Sequence, residues 1–153
     1  MKLSTKGRYG VKAMFELALH FGEEPVSIKT IAEKQNISDY YLEQLFGSLR
    51  KAGLIKSIRG AQGGYILSRP PEKITVADIL NVLEGPIEIS ECILDDEISC
   101  SRANYCATRL LWIKISDSVN QVINSITLQD MVNDYYEMQN INKQKGERNN
   151  GTE

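Results

Sequence analysis

A mainly α fold with one small β-hairpin is predicted by three observations. Two short amphipathic helices follow one another between Ser27 and Lys51. Two β-prone runs, Leu54 to Ile58 and Tyr65 to Leu67, then flank the glycine-rich string R-G-A-Q-G-G. Beyond Ala107 apolar residues recur at three- and four-residue steps for roughly twenty positions, the pattern of a long helix. A tight pair of helices is a helix-turn-helix, and a hairpin placed after it is a wing. The expected architecture is therefore a winged helix-turn-helix domain plus a long C-terminal dimerisation helix. Its expected boundaries are a DNA-binding region over 1–85 (helix-turn-helix about 28–51, wing about 54–67), a cysteine-containing loop over 86–106, a dimerisation helix and C-terminal helix over 107–138, and a disordered tail over 139–153.

The elements follow in order. Ser4 or Thr5 is placed to cap a first helix whose apolar face is Val11, Met14, Phe15, Ala18 and Leu19, with Gly22 as its end. His20, the only histidine, falls near that end and reads as a surface or cap residue. Ser27 is a good N-cap for a second helix carrying Ile28, Ile31 and Ala32. Asn36 to Ser38 interrupt it, and Ser38 is placed to cap a third helix. There Leu42, Leu45, Phe46 and Leu49 make one face, and Gly53 stands where a helix commonly ends. Ser68 to Lys73 reads as a loop. Thr75-Val76-Ala77-Asp78 has the form of a capping box before Ile79, Leu80 and Leu83, and Gly85-Pro86 closes that short helix. Residues 87–105 show no sustained period. In the long helix Leu111, Ile115, Val119, Val122 and Ile126 recur, broadened by Leu110, Trp112 and Ile113. Such a face suits packing against a second copy, or serves as an ordinary core face. Thr127 to Asp130 looks like another capped start, running to about Met138. From Gln139 the chain is polar, and disorder is expected.

In a helix-turn-helix the second helix of the pair enters the major groove. Ser38, Tyr40, Tyr41, Glu43 and Gln44 are the candidates for its reading surface. Gln suits adenine and Glu accepts from cytosine N4. Arg50, Lys51, Lys56 and Arg59 suit the phosphate backbone or the minor groove. Lys2, Lys6, Arg8 and Lys12 either reach phosphate beside that helix or form a solvated helix start. The net charge of −2 conceals an asymmetry: residues 1–69 carry +5 and the remainder −7. Phosphate attraction is local, since salt screens exposed charges beyond roughly 8–10 Å. An acidic distal half is thus compatible with DNA binding, and an unpartnered solvated surface is the alternative.

Cys92, Cys100 and Cys106 are the only cysteines, spaced C-x7-C-x5-C beside Glu91, Asp95, Asp96 and Glu97. The start M-K-L-S-T-K-G-R lacks a following apolar stretch, and no run approaches the ~18 apolar residues of a membrane helix. A cytoplasmic protein is expected, and stable disulfides are not. Three thiols so close together read as soft-metal ligands, with redox thiols or incidental cysteines as alternatives. The spacing does not choose between an iron–sulfur cluster and zinc. There is no Ser/His/Asp arrangement, no phosphate loop and no pair of histidines, so no enzyme is expected. Gly60, Gly63 and Gly64 lie in a hairpin and do not precede a helix, unlike nucleotide-binding glycines.

Four strings carry a resemblance: L-S-T-K-G-R-Y-G (3–10), Y-L-E-Q-L-F (41–46), I-R-G-A-Q-G-G-Y (58–65) and L-E-G-P-I (83–87). The chain resembles the Rrf-two family of winged-helix transcription regulators, which has IscR, RirA, NsrR and CymR types. The resemblance covers about residues 1–135. It implies a homodimer on a partly palindromic double-stranded DNA operator, and a regulator, expected to be a repressor. In the cluster-binding types three cysteines occupy this same loop, and Cys92, Cys100 and Cys106 match them. The first gap here is seven residues where IscR-type chains have five. Arg109 stands where they carry a histidine ligand, and the spacing is closer to the RirA type. The resemblance thus implies operator affinity controlled by an iron–sulfur cluster, 2Fe–2S or 4Fe–4S, with the fourth ligand open. The alternative is a cysteine-metabolism type repressor acting through a partner protein or through zinc or thiol chemistry. That type lacks these cysteines.

Overall fold

The computed structural model describes residues 3–87, 89 and 106–151. Helix α1 (Thr5–Leu19) opens the chain. Its covered side is Gly7, Gly10, Ala13, Met14, Glu16, Leu17 and Ala18. Met14 and Ala18 lie where the sequence puts them, whereas Val11, Phe15 and Leu19 are only partly covered at the rim of the core. The face is turned because its small residues, not its large ones, meet the later helix over Val76–Leu83. A Cβ on Gly10 would run into the Leu83 side chain, and one on Gly7 into Leu80 and Glu84. Two missing side chains let the helices approach closely.

Helix α2 (Ile28–Gln35) starts where the Ser27 hydroxyl accepts the Thr30 N–H at 3.1 Å. It ends at Asn36, which adopts the left-handed conformation (φ 54°). Helix α3 (Asp39–Lys51) starts where the Ser38 hydroxyl accepts the Tyr41 N–H at 3.2 Å. Leu42, Leu45, Phe46 and Leu49 are all buried, as the periodicity predicts. The helix stops in a Schellman arrangement. Gly53 N–H donates to the Arg50 carbonyl and Leu54 N–H to the Leu49 carbonyl, with Gly53 at φ +78°.

Strands β1 (Ile55–Ile58) and β2 (Gly64–Leu67) pair antiparallel with Ile55 opposite Leu67 and Ile58 opposite Gly64. Val26 adds a short bridge to the outer side of β2, exchanging two hydrogen bonds with Tyr65 at 3.0 and 2.8 Å. The Tyr65 ring then meets Phe46 edge-on at 4.8 Å, which ties the wing to α3. Where a loop is expected, Pro71–Lys73 forms one turn of 3-10 helix.

Helix α4 (Val76–Leu83) carries the predicted capping box: Thr75 Oγ1 accepts the Asp78 N–H and Asp78 Oδ2 accepts the Thr75 N–H. Helix α5 (Ala107–Ser125) and helix α6 (Leu128–Asn150) follow. A second capping box, Thr127 with Asp130, starts α6. The two boxes lie side by side: Val76 N–H donates to Ile126 and Leu128 N–H to Ile74, both at 2.9 Å. This bridge brings Leu128 and Val132 into the core, and Tyr135 edge-on to Phe15.

Helix α6 continues to Asn150, whereas the sequence points to disorder from Gln139. Every residue from Tyr136 to Asn150 is exposed, so packing does not hold this stretch. Once a helix is nucleated each further residue adds a hydrogen bond at little cost, and Gln, Lys, Glu and Arg are good helix formers. Polarity alone is therefore a poor guide to where a docked helix ends.

Candidate nucleic-acid interface

The outer side of α3 is bare because its inner side is not. Leu42, Leu45, Phe46 and Leu49 go to the core, which leaves Tyr40, Glu43 and Gln44 exposed near the N-terminal end and Arg50 and Lys51 near the other. Tyr40 is 73% exposed, the most open large hydrophobic side chain among the described residues. Tyr41 is half-covered, its ring edge-on to Tyr9 at 5.8 Å, and Lys12 Nζ lies 5.6 Å from the Tyr9 ring centre. Ser38 is exposed, but its oxygen already accepts from Tyr41 N–H. Its hydroxyl proton and second lone pair remain for a base or phosphate.

Three concave places connect these residues. Arg50 on α3 and Lys56 and Arg59 on the wing bound one groove of about 560 Å³. Gln44 and Tyr41 share a second, smaller concavity with Lys6 of α1 and Leu83 of α4. Thr5 and Tyr9 of α1 meet Ser38 and Tyr41 in a third. Cations from two elements thus converge on one groove, and the start of α1 stands beside the N-terminal half of α3. Tyr40, Glu43 and Lys51 are exposed but line none of the three.

Both ring nitrogens of His20 meet neighbouring side chains. Its Nδ1 is 3.1 Å from Glu23 Oε2, and its Nε2 is 3.2 Å from Lys34 Nζ. Glu16, buried, takes a 2.6 Å hydrogen bond from Gln35 and sits 3.7 Å from Lys34. These residues join α1 to α2 as a polar clasp.

Cys106 is half-buried at the N-cap of α5, with Sγ 3.6 Å from Thr108 Oγ1. Cys92 and Cys100 lie outside the described residues. Among the described residues no three His, Cys, Asp or Glu side chains gather to hold a metal ion. The one described donor still fits such a role chemically. Negative charge is favoured at a helix N-terminus, and the ligating form of cysteine is the anionic sulfur.

The family model Rrf2, described as iron-dependent transcriptional regulator, matches residues 3–134. The chain belongs to the Rrf2 (Rrf-two) family. It is a winged-helix transcriptional regulator, and regulators of this family bind DNA and are dimeric. CymR of Bacillus subtilis is 53% identical over 131 residues, covering 86% of this chain and 89% of that protein. The solved structure of that global cysteine regulator matches with a TM-score of 0.72 at 52% identity, over 86% of this chain and 95% of that one. The structure of T. potens IscR matches with a TM-score of 0.76, also at 52% identity, over 91% of each chain. These relatives of the Rrf2 protein are transcriptional regulators and not enzymes. No described helix is long and apolar enough to cross a membrane.

Two features escape sequence reasoning. The Val26 bridge onto the wing is a single pair and has no periodic signal. Glu84, in the quoted string L-E-G-P-I, carries no local hint of its partners, Ser4 and Gly7.

Proposed function

We propose that this Rrf2 protein is a cytoplasmic homodimeric repressor whose operator affinity is set by an iron–sulfur cluster on Cys92, Cys100 and Cys106. The convergence of Arg50, Lys56 and Arg59 on one groove beside the exposed reading face of α3 carries the DNA-binding part. Each protomer presents α3 to the major groove and the wing to the backbone or minor groove. Tyr41, Glu43 and Gln44 are the base-reading candidates, with Ser38 and Tyr40 at the edge and Lys51 on phosphate. Two-fold operators need a two-fold protein, with half-sites about 34–36 Å apart. The exposed apolar side of α5 supplies the seam for it.

The cysteines carry the sensing part. Sequence identity alone does not decide between the readings: the solved CymR and T. potens IscR structures are both 52% identical to this chain, while B. subtilis CymR is 53% identical and Pectobacterium atrosepticum IscR 41%. Three thiols ending at the first turn of α5 favour the cluster. When bound, the cluster supplies a centre that iron supply, oxygen or nitric oxide removes or modifies. The residues of this chain convert that into DNA affinity through the start of α5, and so through the spacing of the two α3 helices. A coupling of about 1–3 kcal/mol is sufficient, a 5- to 150-fold change in affinity.

The second reading is a cysteine-metabolism repressor of the same frame acting through a partner protein or through zinc or thiols; the similarity to CymR favours it. Anaerobic purification with iron, sulfide and zinc analysis separates the two. A visible charge-transfer band that vanishes in Cys106→Ala is expected. Absence of iron and sulfide after anaerobic reconstitution sinks the cluster while leaving the DNA reading in place.

A further inference from the structure

The two terminal strings of the family resemblance, 3–10 and 83–87, are halves of one contact. Ser4 is the N-cap of α1 by backbone geometry, yet its hydroxyl makes no bond to the helix. It donates to Glu84 Oε1 at the end of α4. The same oxygen accepts the Gly7 N–H at 3.2 Å, one of the first-turn amides that a helix leaves without an internal partner. A carboxylate from another helix, 77 residues on, thus takes the place of the cap. Negative charge at that end is also favourable to the helix dipole. A Cβ on Gly7 would displace the Glu84 carboxylate from this position. Glu84 is half-buried, next to Gly85 at φ +76°.

The turn so held carries Lys6, which shares a concavity with Tyr41 and Gln44 of α3 and Leu83 of α4. We infer that Glu84 is a positioning residue for the DNA interface: it fixes the first turn of α1 so that Lys6 meets a phosphate flanking the bases read by α3. This rests on the reading that α3 faces DNA. Arg8, the next cation in the string, is exposed but lines none of the concavities beside α3. Lys12 is turned onto the Tyr9 ring. Lys6 is thus the cation of α1 that Glu84 delivers. Glu84 touches no DNA itself; its acidity next to a phosphate-binding turn would otherwise oppose binding.

The full chain is titrated against a labelled mixed-sequence duplex at several salt concentrations. The slope of log affinity against log salt falls by about 0.9 for each phosphate no longer neutralised by the protein. Lys6→Ala and Glu84→Ala are expected to lower the slope equally, and the double variant no further. Glu84→Gln, whose amide oxygen still accepts from Ser4 and Gly7, is expected to restore it. In the wild type the Gly7 amide is expected to exchange slowly with solvent, unlike an ordinary first-turn amide, a measurement independent of whether Glu84→Ala folds. A slope lowered by Lys6→Ala but untouched by a folded Glu84→Ala overturns the inference and leaves the DNA reading standing. So does a fast-exchanging Gly7 amide. A wild type that ignores the duplex at low salt overturns both.

Discussion

Arg59 stands at the tip end of β1, exposed and facing the same groove as Arg50 on α3 and Lys56 on the wing. Its guanidinium presents a fork of donors at the end of a slim hairpin, a shape suited to phosphate or a narrow minor groove. On the proposed reading most of what it contributes would be counterion release, which is independent of sequence. Arg59→Ala is therefore expected to weaken binding to all duplexes alike and to lower the salt slope by about 0.9 for each phosphate it neutralises. A fluorescence titration across salt concentrations checks this. An unchanged slope would place the wing away from the backbone. Gln44 is the contrasting residue. Its amide can pair with adenine in two bonds, so on the proposed reading its role would belong to specificity at one base pair. On the proposed reading Glu43 beside it would act by exclusion, since a carboxylate that does not meet a cytosine amine faces phosphate charge instead.

Helices α1 and α4 show what close packing demands of a sequence. Gly10 faces the Leu83 side chain with no room for a Cβ, and Ile79 lies just beyond. Overfilled packing of this kind costs about 1–3 kcal/mol. Gly10→Val is expected to destabilise the fold by that much in a urea titration, and an unchanged midpoint would mean that α1 and α4 do not approach as described. The same pair of helices marks the boundary of what a sequence discloses. The caps at Ser27, Ser38, Thr75 and Thr127 are local signals, each bond spanning three residues, and each is legible. So is α3, because four apolar residues at helical spacing all go inside. The α1 face departs from its periodicity because burial there follows smallness rather than size: Gly7, Gly10 and Ala13 are covered through being small. The bonds from Val76 to Ile126 and from Leu128 to Ile74 join residues about fifty apart, and no local pattern encodes them. The helical stretch after Gln139 is hidden for a different reason: its order comes from continuation of a docked helix, not from its own composition. Of the site, the cationic residues and the α3 surface are legible as residue types in an asymmetric charge pattern. Their convergence on one groove, and the place of Glu84 beneath α1, require the fold.

At the scale of the molecule the open question of packing is α5. Among its nineteen residues only Ser116 is buried, while Leu110 is 58%, Leu111 47% and Val122 54% exposed. Leaving such side chains in water forgoes about 25 cal/mol for each Å² of apolar surface, so an uncovered stripe calls for a partner. A second copy is the partner that a two-fold operator requires. Leu111→Glu places a charge on this stripe, and burying an unpaired carboxylate is expensive. It is expected to leave the winged-helix core folded, since that core is built from α1, α2, α3, α4, the hairpin and the start of α6. Sedimentation velocity should therefore find a folded monomer. Its consequence for DNA follows from linkage between the two protomers. A joined pair binds its second half-site intramolecularly, with a gain of about 10²- to 10⁴-fold over a single half-site. The variant is expected to lose a factor of that size on a two-half-site operator while keeping wild-type affinity for an isolated half-site. A variant that remains dimeric, or one that loses both affinities together, would move the dimer seam off this face of α5.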